Sequence, residues 1–206
     1  MTDVPTTETT APLSRAELLE KEKSLCESCS GCPLGSTRTN LVYGTGNPNA
    51  VLMFVGEAPG EREDATGIPF VGAAGQLFDR YLYAVGIPRE DVYIANILKC
   101  RPPHNRDPLP EEEDVCIRHL RKQVKIIAPK LIVCLGRISA MRLIRPDFRI
   151  TREHGLWYTR GAFEMCAVYH PSALLRDASK REDMFEDMRA IAEKYNALKA
   201  ENETVS

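Results

Sequence analysis

Residues 51–72 read VLMFVGEAPGEREDATGIPFVG, an apolar strand that runs straight into a turn of glycines, a proline and acidic residues. Unbroken rather than alternating hydrophobicity implies a strand covered on both faces, as in a parallel sheet packed between helices. The turn puts carboxylates and free backbone N–H groups at the C-terminal edge of that sheet, where open α/β folds place their ligands.

Working outward, further β-rich apolar runs occur at 91–98 (DVYIANIL), 131–135 (LIVCL) and 166–169 (CAVY). Helical patterns at 74–85, 111–127 and 136–144 separate them, the second with its acids first and its bases last, as the helix dipole prefers. Ser14 with Glu17 forms a capping box for a helix running to about Leu25, and Met184, Met188, Ile191 and Tyr195 form the inner stripe of a last helix over 180–198. The expectation is one domain over 14–198, with a disordered N-terminal tail at 1–13 and a polar C-terminal tail at 199–206. With 206 residues, 43% of them hydrophobic, and neither a signal peptide nor a membrane span in view, the composition is that of a soluble, cytoplasmic protein that does not engage membranes.

The net charge of −2 hides an asymmetry: residues 117–160 carry eleven Lys or Arg against Asp147 and Glu153. Such a segment is either a solvated basic face or a surface for phosphates. Of the seven cysteines, Cys134 and Cys166 sit inside apolar strands and read as inert buried thiols. Cys26, Cys29 and Cys32 form C-x2-C-x2-C, a spacing that lets thiolates converge on one metal centre. The remaining ligands must come from afar, and Cys100 and Cys116 can meet if the RPPHNRDPLP loop between them folds back. Four thiolates suit an iron-sulfur cluster or a structural zinc equally.

Polar and aromatic residues collect at the predicted sheet edge. Gly56, Glu57 and Ala58 follow the first strand, Phe70 lies in the loop beyond, Asn96 beside Lys99 ends the second strand, and His170-Pro171-Ser172 ends the last. A Phe face can stack a planar ring, an Asn amide can offer donor and acceptor to a pyrimidine edge, a His can bond an oxygen that gains charge, and a Glu can orient water. Together these are the parts of a site that excises a base.

The blocks C-x2-C-P-L (29–34), GEAPGEREDATGIPFVGAAGQLFD (56–79), N-x3-C-R-P-P-x-N-R-x-P (96–108), the following Cys116 and HPSALLR (170–176) resemble those of the family 4, iron-sulfur uracil-DNA glycosylases. The resemblance spans roughly 14–195. It implies a three-layer α/β/α sandwich around a four-stranded parallel sheet, and a structural [4Fe-4S] cluster on Cys29, Cys32, Cys100 and Cys116, with Cys26 left over. It also implies a uracil pocket of Gly56, Glu57, Ala58, Phe70, Asn96 and His170, with Glu57 or Glu63 activating water and His170 stabilising the departing base. Leu174 or Leu175 would wedge the vacated stack and Arg176 would meet a phosphate. The partner would be uracil-containing DNA, single- or double-stranded, and the enzyme a monomer. His104 reads as surface or DNA-facing. The rival readings are a non-enzymatic iron-sulfur electron carrier and a zinc-stabilised nucleic-acid-binding domain.

Overall fold

The computed structural model describes residues 12–204. The expected tail over residues 1–11 therefore lies outside the described residues. The elements run α1 (Arg15–Glu27), α2 (Leu34–Thr37), β1 (Thr45–Gly46), β2 (Leu52–Gly56), α3 (Glu61–Thr66), α4 (Ala73–Ala84), β3 (Tyr93–Asn96), α5 (Pro110–Ile127) and β4 (Leu131–Leu135), then α6 (Arg137–Leu143), α7 (Ile150–Glu153), β5 (Tyr158–Arg160), β6 (Phe163–Val168), α8 (Pro171–Arg176) and α9 (Arg181–Thr204).

The sheet is six-stranded and mixed, in the order β1-β3-β2-β4-β6-β5, and not the four-stranded parallel sheet expected. Its middle four strands pair in parallel, and the short β1 and β5 add antiparallel edges. Alternate residues of the buried strands feed opposite layers. Met53 and Val55 of β2 pack with α1, α5 and α6, whereas Leu52 and Phe54 pack with α4, α8 and α9. Removing one such side chain from water contributes about 1.5–3 kcal/mol, so each strand residue holds a helix to its own face.

Ser14 caps α1 in a full capping box with Glu17, as its sequence requires. The stripe Met184, Met188, Ile191 and Tyr195 is buried along α9. That helix continues to Thr204, so the expected tail from 199 is helical over its described part, and Lys199 reaches Asp91 at 2.9 Å. No helix among the described residues is long and apolar enough to cross a membrane.

Because β3, β2, β4 and β6 are parallel, their C-terminal ends share one edge. From β2 the chain steps to β3 on one side and then crosses back past β2 to β4 on the other, so a crevice opens at that reversal. Register does the rest: Gly56 pairs with Asn96 across β2 and β3.

Candidate active site

A cleft of about 590 Å³ opens at this edge, lined by Glu57, Ala58, Glu63, Phe70, Asn96 and His170 among others. Gly56 lies directly behind two of these residues. A Cβ there would lie 2.3 Å from Asn96 Oδ1 and 2.7 Å from Phe70 Cζ, so only glycine lets the amide and the ring stand side by side.

Phe70 is held in a left-handed conformation, φ 55°, which costs a bulky residue free energy and persists only when its surroundings impose it. Four hydrogen bonds impose it here. Glu63 Oε1 accepts the N–H groups of Val71 (2.9 Å) and Gly72 (2.8 Å), and Arg89 Nη2 donates to the carbonyls of Pro69 (3.0 Å) and Phe70 (3.3 Å). Gly75 in α4 lets that carbonyl settle on the helix, since a Cβ would stand 2.0 Å from it. The ring ends 5.8 Å from that of His170, centroid to centroid.

His170 caps α8: its Nδ1 accepts the Ser172 N–H at 3.1 Å and faces Ser172 Oγ at 2.7 Å, and Pro171 fills the first helical position. A nitrogen that accepts from a backbone N–H carries no proton, so the neutral ring bears its proton on Nε2. Burial pushes its pKa down to about 4, with Arg176 adding and Glu63 opposing. Asn96 is buried and its Oδ1 has no partner among the described residues, an arrangement that costs about 1–3 kcal/mol unless a bound donor fills it.

The two candidate acids differ in employment. Glu63 is committed to the Phe70 loop. The Glu57 carboxylate receives no hydrogen bond among the described residues, and burial, with Asp107 and Glu113 adding and Arg137 opposing, raises its pKa to about 7.

The Uracil DNA glycosylase superfamily profile matches residues 43–193. A type-4 uracil-DNA glycosylase of Archaeoglobus fulgidus is 47% identical over 174 residues, 81% of this chain and 87% of its own. Type-4 enzymes of Thermotoga maritima and Sulfurisphaera tokodaii are each 44% identical, over 181 and 184 residues, 85% of this chain in both cases and 93% and 84% of their own. The chain belongs to the type-4 branch of the uracil-DNA glycosylase superfamily.

A type-4 uracil-DNA glycosylase implies an iron-sulfur cluster, and the four cysteines can be tested against one. Cys29 and Cys32 are half-buried on the turn between α1 and α2, Cys100 follows β3 and Cys116 lies on α5, both buried. The RPPHNRDPLP loop does fold back: Glu112 accepts a two-pronged contact from Arg106 and the Leu109 N–H, and the Lys99 N–H reaches Cys116 Sγ at 3.3 Å. Arg38 donates to Cys100 Sγ and Arg118 to Cys29 Sγ, each at 3.2 Å. Among the described residues no group of three or more His, Cys, Asp or Glu is closed around a single ion. The donor set nonetheless fits a cluster, because N–H groups aimed at three of four sulfurs are what thiolates on iron need. Cys26, expected to be left over, is 1% exposed and lies in the same buried cluster as Cys100 and Cys116.

The structure separates the two leucines offered for the wedge. Leu174 is fully buried under α4 and the sheet, which leaves Leu175, 48% exposed, beside the exposed Arg176. It also reveals residues that sequence reasoning passed over. Arg137 and Asp107, 3.2 Å apart, line the cleft, as do Tyr169 and Lys180. Arg137 was findable: Gly136-Arg137 ends a parallel strand like the other three motifs. Lys99, fully buried, links site and thiols, with Nζ bonded to the Asn96 carbonyl at 2.8 Å and to Gln123 Oε1 at 2.6 Å.

Proposed function

We propose that this chain hydrolyses the N-glycosidic bond of uracil in DNA and leaves an abasic site. The observation that carries the reading is the unpartnered Asn96 Oδ1 at the back of a cleft, beside a fixed phenyl ring and a neutral histidine. Uracil supplies what is missing there: an N3–H for Oδ1, a carbonyl for the Asn96 amide N–H, and a flat face for Phe70.

The base is rotated out of the stack at a cost of a few kcal/mol. His170 Nε2–H then donates to O2 as the C1′–N1 bond breaks and its electron pair passes into the ring. A neutral imidazole suits this task, since it is too weak an acid to hand its proton over and so keeps a hydrogen bond that strengthens as charge builds on O2. Glu57, ionised, accepts the proton of the water whose oxygen attacks C1′. Leu175 fills the gap in the stack and Arg176 takes a flanking phosphate. Glu63 acts through the Phe70 loop. Cys29, Cys32, Cys100 and Cys116 hold a [4Fe-4S] cluster of structural role, which ties the turn after α1 to the end of β3 and to α5. The working unit is residues 14–198, acting as a monomer in the cytoplasm.

Incubation with a uracil-containing oligonucleotide should release free uracil and leave alkali-labile ends, with none from the thymine-containing control. Intact oligonucleotide after prolonged incubation with a brown, iron-loaded preparation would return the chain to the class of non-catalytic nucleic-acid-binding proteins.

A further inference from the structure

The basic segment 117–160 finds little use at the catalytic cleft, where Arg137 is the one arginine or lysine it contributes. It surrounds a second and larger cleft, about 700 Å³, between α5 and α6. Leu120 and Val124 of α5 face Met141 and Leu143 of α6 across a floor that includes Ile132 of β4 and Met165 of β6. Four arginines line it, Arg121, Arg142, Arg145 and Arg160, against the one carboxylate of Glu113. Arg142 pairs with Asp114, and Arg145 with Asp147 and Glu153, while Arg121 and Arg160 have no carboxylate partner among the described residues. Ion pairs at the surface such as Arg142–Asp114 are weak, so a new anion can displace them. Burial together with Asp114 raises the Glu113 pKa, against the pull of Arg142.

We propose that this cleft docks an acidic peptide segment of a partner protein, anchored by aliphatic or aromatic side chains. Branched and thioether walls accept such anchors, and the guanidinium groups of Arg121 and of Arg160, which otherwise donates to the Ile144 carbonyl, can donate to carboxylates on either side of them. A nucleobase needs ring faces to stack on and polar edges to read, whereas Phe163 is the single aromatic residue lining this cleft. Position gives the docking a purpose. Ile138 lines both clefts, and Asp107 faces one while its neighbour Pro108 faces the other. A partner held here is delivered to the side of the DNA site without covering it.

The probe is a fluorescein-labelled peptide of aspartates interspersed with leucine and phenylalanine, titrated with the full iron-loaded chain and followed by anisotropy. Saturable binding is expected, weakened about tenfold by Arg121→Glu, since a rim charge is reversed at an exposed position. The variant should keep the wild-type Tm and wild-type uracil excision, because Arg121 lies outside the catalytic cleft. A peptide with serine in place of leucine and phenylalanine should bind far more weakly. Absence of saturable binding, indifference to Arg121→Glu, or equal binding of the serine peptide would each overturn the proposal. So would displacement of the peptide by oligo(dT) from wild type but not from Arg121→Glu, which would make this a nucleic-acid groove. Much tighter binding by a chain lacking residues 1–11 would instead make its own N-terminus the occupant.

Discussion

Glu57 owes its chemistry to where β2 stops. One residue earlier the chain is fully buried sheet, and one step further it is a turn, so the half-buried carboxylate stands in the cleft with no hydrogen-bond donor on it among the described residues. Its pKa of about 7, against an ordinary value of 4.5, has a kinetic and a thermodynamic consequence. As the base for water it must be ionised, so kcat/KM should rise as pH passes about 7 and level off above. His170, at about 4, stays neutral throughout that range. A carboxyl with a raised folded pKa contributes stability below its unfolded pKa that is lost as pH climbs through the folded one. Glu57→Gln should therefore lower kcat by roughly 10²–10⁴-fold and yet melt at a higher temperature than wild type at pH 8, the difference closing below pH 4.5. Single-turnover assays and thermal melts across pH measure both, and a variant that is inactive and also less stable at pH 8 would remove Glu57 from the role. Sequence alone could not separate Glu57 from Glu63, because both are acids of one turn. The two N–H donors on Glu63 separate them.

Elements turn residues toward or away from the site, and short helices do so with little warning in the sequence. The six residues of α8 place Leu174 and Leu175 on opposite sides, one fully buried and one 48% exposed. Leu174→Ala should cost about 2–5 kcal/mol of stability through the cavity it leaves. Leu175→Ala should leave the Tm almost unchanged and lower kcat/KM on duplex substrate more than on single strands, where no stack needs filling. Adjacent leucines in HPSALLR carry equal signals, so the division between core and wedge waits on where α8 docks. The loop before α4 is a second case. Glu63 and Arg89 together hold Phe70 in its left-handed conformation, and a pin from 19 residues away leaves no local trace. Glu63→Ala should lose about 2 kcal/mol, a fall in Tm of roughly 4–8 °C, and raise KM. Glu63→Gln retains an acceptor oxygen for both N–H groups and should recover much of each. Failure of the glutamine to rescue would mean that the charge of Glu63, rather than its grip on the loop, matters to catalysis.

At the scale of the molecule, the layers were legible because unbroken apolar runs admit few arrangements other than a covered parallel sheet. The edge strands were not. Thr45–Gly46 is two residues long and Tyr158–Arg160 is polar, so neither carries a hydrophobic pattern. Charge misled in the opposite sense, since a run of bases in sequence need not face one direction in space. Most of segment 117–160 turns away from the catalytic cleft, which is lined by Arg106, Arg137, Arg176 and Lys180; Arg106 is held in a two-pronged contact by the buried Glu112, which leaves three cations for phosphates. This distribution predicts how DNA binding responds to salt. Three cations displacing counterions give a slope of log K against log[salt] of about −2.7, at about 0.9 for each phosphate neutralised on a duplex. Measured with the slow Glu57→Gln variant before it turns over, Arg176→Ala should flatten the slope by about one and weaken binding to every sequence alike. Arg121→Ala, made in the same background, should leave the slope unchanged despite removing a charge of the same sign from the most basic part of the chain. The reverse pattern, with Arg121 setting the slope and Arg176 silent, would lay the duplex over the second cleft and require a different route for the flipped base.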